Sequence, residues 1–86
     1  MTGDEHKIRT GDHVHHRPSY EDWVVAYADY STGELSACGW PDGVAKISDC
    51  DVIKVATDDE HIDMLATLAV SGDRRGVVAN RIAKAA

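Results

Sequence analysis

The side chains best suited by type to hold a metal ion or attack an electrophile are His13, His15 and His16 in one short run, and Cys38 and Cys50, which eleven residues separate. Zinc takes four nitrogen or sulfur ligands in a tetrahedron, and its usual cysteine pairs stand two to four residues apart. That pairing is absent. Side chains alternate along a strand, so His13 and His15 share one face and His16 takes the other. A metal reading therefore comes down to His16, Cys38 and Cys50 meeting where strand ends converge, which would make the chain a small zinc-binding regulatory domain. The competing reading treats the cysteines as small buried hydrophobes. Cysteine catalysis needs a thiolate with a base and an orienting group. Asp49 and Asp51 flank Cys50, and like charges nearby disfavour the thiolate. The acidic pairs Glu21-Asp22 and Asp58-Asp59 belong to surfaces and caps. The run from Ser71 to Gly76 lacks the Lys-Ser/Thr ending of a phosphate-binding loop. No catalytic set emerges, and the expectation is a protein that is not an enzyme and holds no resident cofactor.

The aromatics offer a second kind of chemistry. Trp23, Trp40, Tyr20, Tyr27 and Tyr30 stand in a chain without Phe. Small barrels use exposed Tyr and Trp to grip extended peptides. Tyr20, Tyr30 and Trp40 are the candidates for binding, whereas Trp23 and Tyr27 are expected to fill the interior.

These residues need elements to position them. Short strand-like runs punctuated by turn residues extend from Ile8 to Thr57. The first spans Asp12 to Arg17 and ends in the turn Pro18-Ser19-Tyr20-Glu21. The second, Trp23 to Tyr30, is rich in β-branched and aromatic residues, as strands are. Both of its faces are apolar, which predicts a central strand. Ser31-Thr32-Gly33-Glu34 supplies a hairpin loop, and Leu35 to Cys38 returns. Gly39 to Gly43 turns again, Val44 to Ile47 is a fourth strand, Ser48-Asp49-Cys50 a tight 3₁₀ connection, and Asp51 to Ala56 a fifth strand. Five short strands with tight turns fit a small SH3-like five-stranded barrel. At Thr57 the period changes. Thr57-Asp58-Asp59-Glu60 has the form of a capping box, and Ile62, Leu65, Leu68 and Ala69 mark one helical face. Ser71-Gly72 stops the helix. A second helix is predicted from Asp73 to Lys84, weakened by Gly76 by about 1 kcal/mol relative to alanine. The predicted organisation is a mobile tail over residues 1–7, a barrel over 8–57, and a helical tail over 58–86 that packs on the barrel or on a second copy.

Several of these residues form a pattern. His16-Arg17-Pro18-Ser19, Glu21, Trp23-Val24-Val25, Gly33-Glu34-Leu35, Cys38-Gly39-Trp40-Pro41 and Ala45-Lys46-Ile47-Ser48-Asp49-Cys50 resemble a group of small bacterial and prophage-encoded proteins of uncharacterised function. The resemblance covers His13 to Val55, and Cys-Gly-Trp-Pro and Asp-Cys are its most specific parts. It implies a shared fold and no activity. The group typically carries Gly at the turn position that Tyr20 occupies here.

Composition sets the outer bounds. With 86 residues there is room for one domain. A chain this short buries only about 60% of its unfolded surface, so a second copy would add burial that one copy lacks. The net charge of −6 argues against nucleic acid, which needs a positive surface, and against anionic lipid. The local exception is Arg74, Arg75, Arg81 and Lys84, cations suited to a helix C-terminus. The N-terminus has no apolar export segment, and no stretch is long enough to cross a bilayer. A cytoplasmic location with reduced thiols is expected. The leading reading is a protein-interaction or structural module, with homodimerisation as one form of that interaction.

Overall fold

The structure is a computed structural model that describes residues 7–38, 44–72 and 74–85. Apart from Lys7, the expected mobile tail lies outside the described residues, as does Trp40. The strands are β1 (His13–His16), β2 (Glu21–Asp29), β3 (Glu34–Ala37), β4 (Ala45–Lys46) and β5 (Cys50–Lys54). A 3₁₀ turn (Ile47–Asp49) joins β4 to β5. Two helices follow, α1 (Asp58–Val70) and α2 (Arg74–Ala85). The five strands form one antiparallel sheet in the order β4-β3-β2-β1-β5.

The chain is thus mainly β with a helical C-terminal portion, as its turn spacing predicts. The sheet is not closed into a barrel, which corrects the expectation of a closed one. β4 is two residues long and pairs with β3, while β5 pairs with β1, so these two strands form the sheet edges. β2 is the spine. Its first residues pair with β1, its last with β3, and the register shifts between Val25 and Tyr27. Such an irregularity bends a strand and increases its twist.

The core is aliphatic and small. Ile8, Val14, Val25, Ala28, Leu35, Ala45 and Cys50 form it, with Trp23, Ile47 and Val52 packed at its margin. Asp12 is 0% exposed and ranks with Leu35, Val14 and Val25 among the largest fully buried side chains. A carboxylate belongs there only if its oxygens are hydrogen-bonded. Oδ1 accepts the Ala56 N–H at 2.9 Å and Oδ2 accepts the Arg9 N–H at 3.1 Å. The Asp12 carbonyl also accepts the Val25 N–H at 2.8 Å. One side chain therefore ties residues 7–12 to the end of β5, where α1 begins.

α1 starts as its sequence requires. The Thr57 hydroxyl accepts the Glu60 N–H at 3.1 Å, and the Glu60 carboxylate accepts the Thr57 N–H at 2.9 Å. These bonds hold the Glu60 carboxyl below its usual pKa. The expected apolar face of α1 is divided, however. Leu65 and Leu68 turn inward with His61 and Met64, whereas Ile62 and Ala69 face solvent. α2 packs against both α1 and β2.

Tyr20 closes the turn between β1 and β2 with φ +57° and is 87% exposed. The left-handed region costs an ordinary residue roughly 1–2 kcal/mol, and glycine enters it freely. Tyr20→Gly is expected to raise stability by about 0.5–1 kcal/mol once the added chain entropy of glycine is subtracted. A urea melt reads this, and a destabilised variant would show that the turn needs the tyrosine side chain more than the backbone freedom.

Candidate functional site

Residues 7–10 run across the end of β2 and leave an open groove of about 640 Å³ between themselves, the β2–β3 turn and α2. Small-molecule and cofactor sites typically span roughly 300–1,000 Å³. Each wall is held by identifiable bonds. Tyr30 follows the last residue of β2, and its hydroxyl accepts the Ile8 N–H at 2.7 Å. The Thr10 hydroxyl donates to the Ala26 carbonyl at 2.7 Å. The Thr10 carbonyl is 2.7 Å from His61 Nδ1; a carbonyl only accepts, so this nitrogen carries the proton. The opposite wall comes from α2 through Ala79, Ile82 and Ala83.

The groove has an apolar floor and a cationic rim. Ile8, Ala28, Ala79 and Ile82 line it beside Tyr30, and Lys7, Arg9 and Arg81 stand around it. Lys7 Nζ lies 5.7 Å from the centre of the Tyr30 ring, within range of a cation–π attraction. Arg9 bonds the Ala56 carbonyl and the Asp58 carboxylate, each at 3.0 Å, and its buried Nε has no partner among the described residues. Among the described residues Asp29 is the one acid on the lining. The Ser31 hydroxyl and N–H both donate to it, at 2.5 and 3.0 Å, and hold its carboxyl below the usual range. An acidic chain thus presents a groove whose rim is basic.

Of the aromatics expected to bind, Tyr30 lies in the groove, 48% exposed. Tyr20 stands beyond the other end of β2, so the two tyrosines do not share one surface. The groove was not legible in the sequence, because its lining comes from four separated segments and no local period links Ile8, Tyr30, His61 and Ile82.

His16, Cys38 and Cys50 are not gathered into one site. Among the described residues no group of three or more His, Cys, Asp or Glu side chains is placed to hold a metal ion. The strand order explains this. His16 sits opposite Cys50 in the β1–β5 ladder. Cys38 follows β3, on the far side of β2, where its sulfur lies 3.9 Å from Met64 Sδ. His16 stacks on Trp23 with ring centres 4.2 Å apart, and its Nδ1 is 2.7 Å from the Ser19 hydroxyl. That bond spans the β1–β2 turn and fastens it. Arg17 reinforces the same corner by donating to the Asp51 carboxylate and the Ser48 carbonyl. Burial, and then the charge of Asp49, push the Cys50 thiol up, which makes it a weak nucleophile.

No helix among the described residues is long and apolar enough to cross a membrane. Comparison with protein-family profiles, curated proteins and solved structures returns no match for this chain.

Proposed function

We propose that this chain is a non-enzymatic protein-interaction module of the cytoplasm, built on an SH3-like frame, whose groove receives an apolar peptide segment bearing a carboxylate. The observation that carries this reading is the open groove beside Tyr30, with an apolar floor and Lys7, Arg9 and Arg81 around it. Apolar walls favour burial of side chains, and cations at the rim select the sign of the partner's charge. Lys7 and Arg81 form no ion pair among the described residues, so an incoming carboxylate displaces no existing bridge.

The frame is supported by the strand meander with β5 returning to β1, by the 3₁₀ turn before β5, and by a long bent β2 shared between both halves of the sheet. Kinship with the small bacterial and prophage-encoded proteins is supported at Tyr20. Its backbone is left-handed, at the position where that group typically carries glycine.

Selection of a random displayed-peptide library on the immobilised protein tests the function. Peptides combining Asp or Glu with Leu, Ile or Val are expected to be enriched. Their binding should fall roughly tenfold or more in a Lys7→Glu, Arg81→Glu double variant, and similarly in Tyr30→Ala. Enriched peptides that bind these variants as well as the parent would overturn the assignment of the groove, and an absence of enrichment would overturn the function.

A further inference from the structure

α1 buries none of its residues. Its inward side is engaged: His61 bonds the Thr10 carbonyl, Met64 meets Cys38, and the Leu65 carbonyl accepts from Asn80 of α2 at 3.2 Å. Its outward side runs through Asp58, Ile62, Ala66 and Val70, each four residues beyond the last and all exposed. Ile62 is 62% and Val70 88% exposed. Residues at four-residue spacing form a ridge along a helix, the ridge used in the commonest class of helix packing. A large apolar side chain thus stands one turn to either side of a central alanine, with an acid beyond one of them.

We infer that the chain forms a two-fold symmetric dimer in which the α1 helices of two copies pack antiparallel, with Ala66 of each at the axis. The occupant follows from the symmetry of the ridge. Residues 62 and 70 are equally far from 66 along α1. A two-fold axis through Ala66 therefore sets Ile62 against Val70 of the second copy, and Val70 against its Ile62. It also brings Asp58 towards the corner where α2 begins, which carries the exposed Arg74. An isologous interface demands this self-complementarity, because one patch must fit itself. A parallel arrangement would oppose Asp58 to Asp58. Alanine at the crossing lets the helix axes approach to about 8 Å, the near end of the usual range. Asp58 already bonds Arg9, but its side chain is 90% exposed, so the carboxylate remains open to a second cation. Burial of Ile62 and Val70 also gives this small chain apolar burial that one copy does not provide.

None of the four ridge residues lines the groove, so this dimer and the proposed peptide site stand or fall separately. Sedimentation velocity over a range of chain concentrations is the test. The parent chain is expected to pass from monomer to dimer. Ala66→Arg and Ile62→Lys should each raise the dissociation constant roughly tenfold or more, with an unchanged circular dichroism spectrum. Under mild oxidation Ala66→Cys should give a covalent dimer faster than the parent and faster than Lys84→Cys, which places a thiol at another exposed helical position. A parent that stays monomeric at every concentration overturns the inference. So does a dimer untouched by Ala66→Arg and Ile62→Lys, or an Ala66→Cys variant that cross-links no faster than Lys84→Cys.

Discussion

Gly76→Ala is expected to destabilise the fold by about 3 kcal/mol, the upper part of the usual overpacking range, and to lower Tm by roughly 12 °C or more. In an isolated helix the sign would be opposite, because alanine is favoured over glycine by about 1 kcal/mol. The reversal comes from the crossing of α1 and α2. Gly76 is buried, and a methyl group on its Cα would fall 2.2 Å from the Leu68 carbonyl oxygen and 2.6 Å from its carbonyl carbon. Both atoms are backbone, so no side-chain rotation relieves the clash, and the helices must separate. α2 also lines the groove through Ala79, Arg81 and Ile82. Peptide binding at 25 °C should therefore weaken along with stability. Val77→Ala, at a position 71% exposed, serves as the control and should change little. Urea melts at one fixed chain concentration measure all three proteins. A Gly76→Ala variant more stable than the parent would mean that α1 and α2 do not approach this closely.

Asp12→Ala is expected to cost about 3 kcal/mol. The substitution removes the acceptors of the Ala56 and Arg9 N–H groups and leaves both donors without a partner, the first buried and the second part-buried. A buried donor deprived of its acceptor costs roughly 1–3 kcal/mol, and bonds to charged groups lie at the upper end. Asp12→Asn keeps one acceptor oxygen but turns an amide NH₂ toward the other donor. It should fall between parent and Asp12→Ala. The damage should spread to the groove, since Arg9 and Ile8 lie on the segment that Asp12 anchors. Denaturant melts give the stability order, and amide hydrogen exchange at Ala56 reports the local effect. An Asp12→Asn protein as stable as the parent would show that the carboxylate is not the anchor.

Much of the local structure was legible in the residues. The β-branched and aromatic run before Asp29, the hairpin loop at Gly33 and the Thr57–Glu60 capping box each express a preference that acts over a few residues. The strand ends lie within one or two residues of those the sequence predicts, and Ile47 belongs to the 3₁₀ turn rather than β4. The candidate site was far less legible. Tyr30 stands out in the sequence as an aromatic, yet the wall it forms depends on Ile8, 22 residues away, bonding its hydroxyl. Cys38 and Cys50 flank one turn-and-strand unit in the sequence, but β2 and β1 lie between their strands in the sheet.

The sequence by itself determined where this chain turns, where it extends and where it begins to coil into helix, because those choices rest on φ/ψ preferences and hydrogen bonds among near neighbours. Only the tertiary structure decided which faces are covered. Ile62 and Leu65 carry the same apolar character, and the crossing of α2 leaves one outside and draws the other in. Gly76 changes from a weak helix residue to a required one for the same reason. Propensity is a property of a residue and its neighbours, whereas close approach is a property of two backbones brought together by the whole fold.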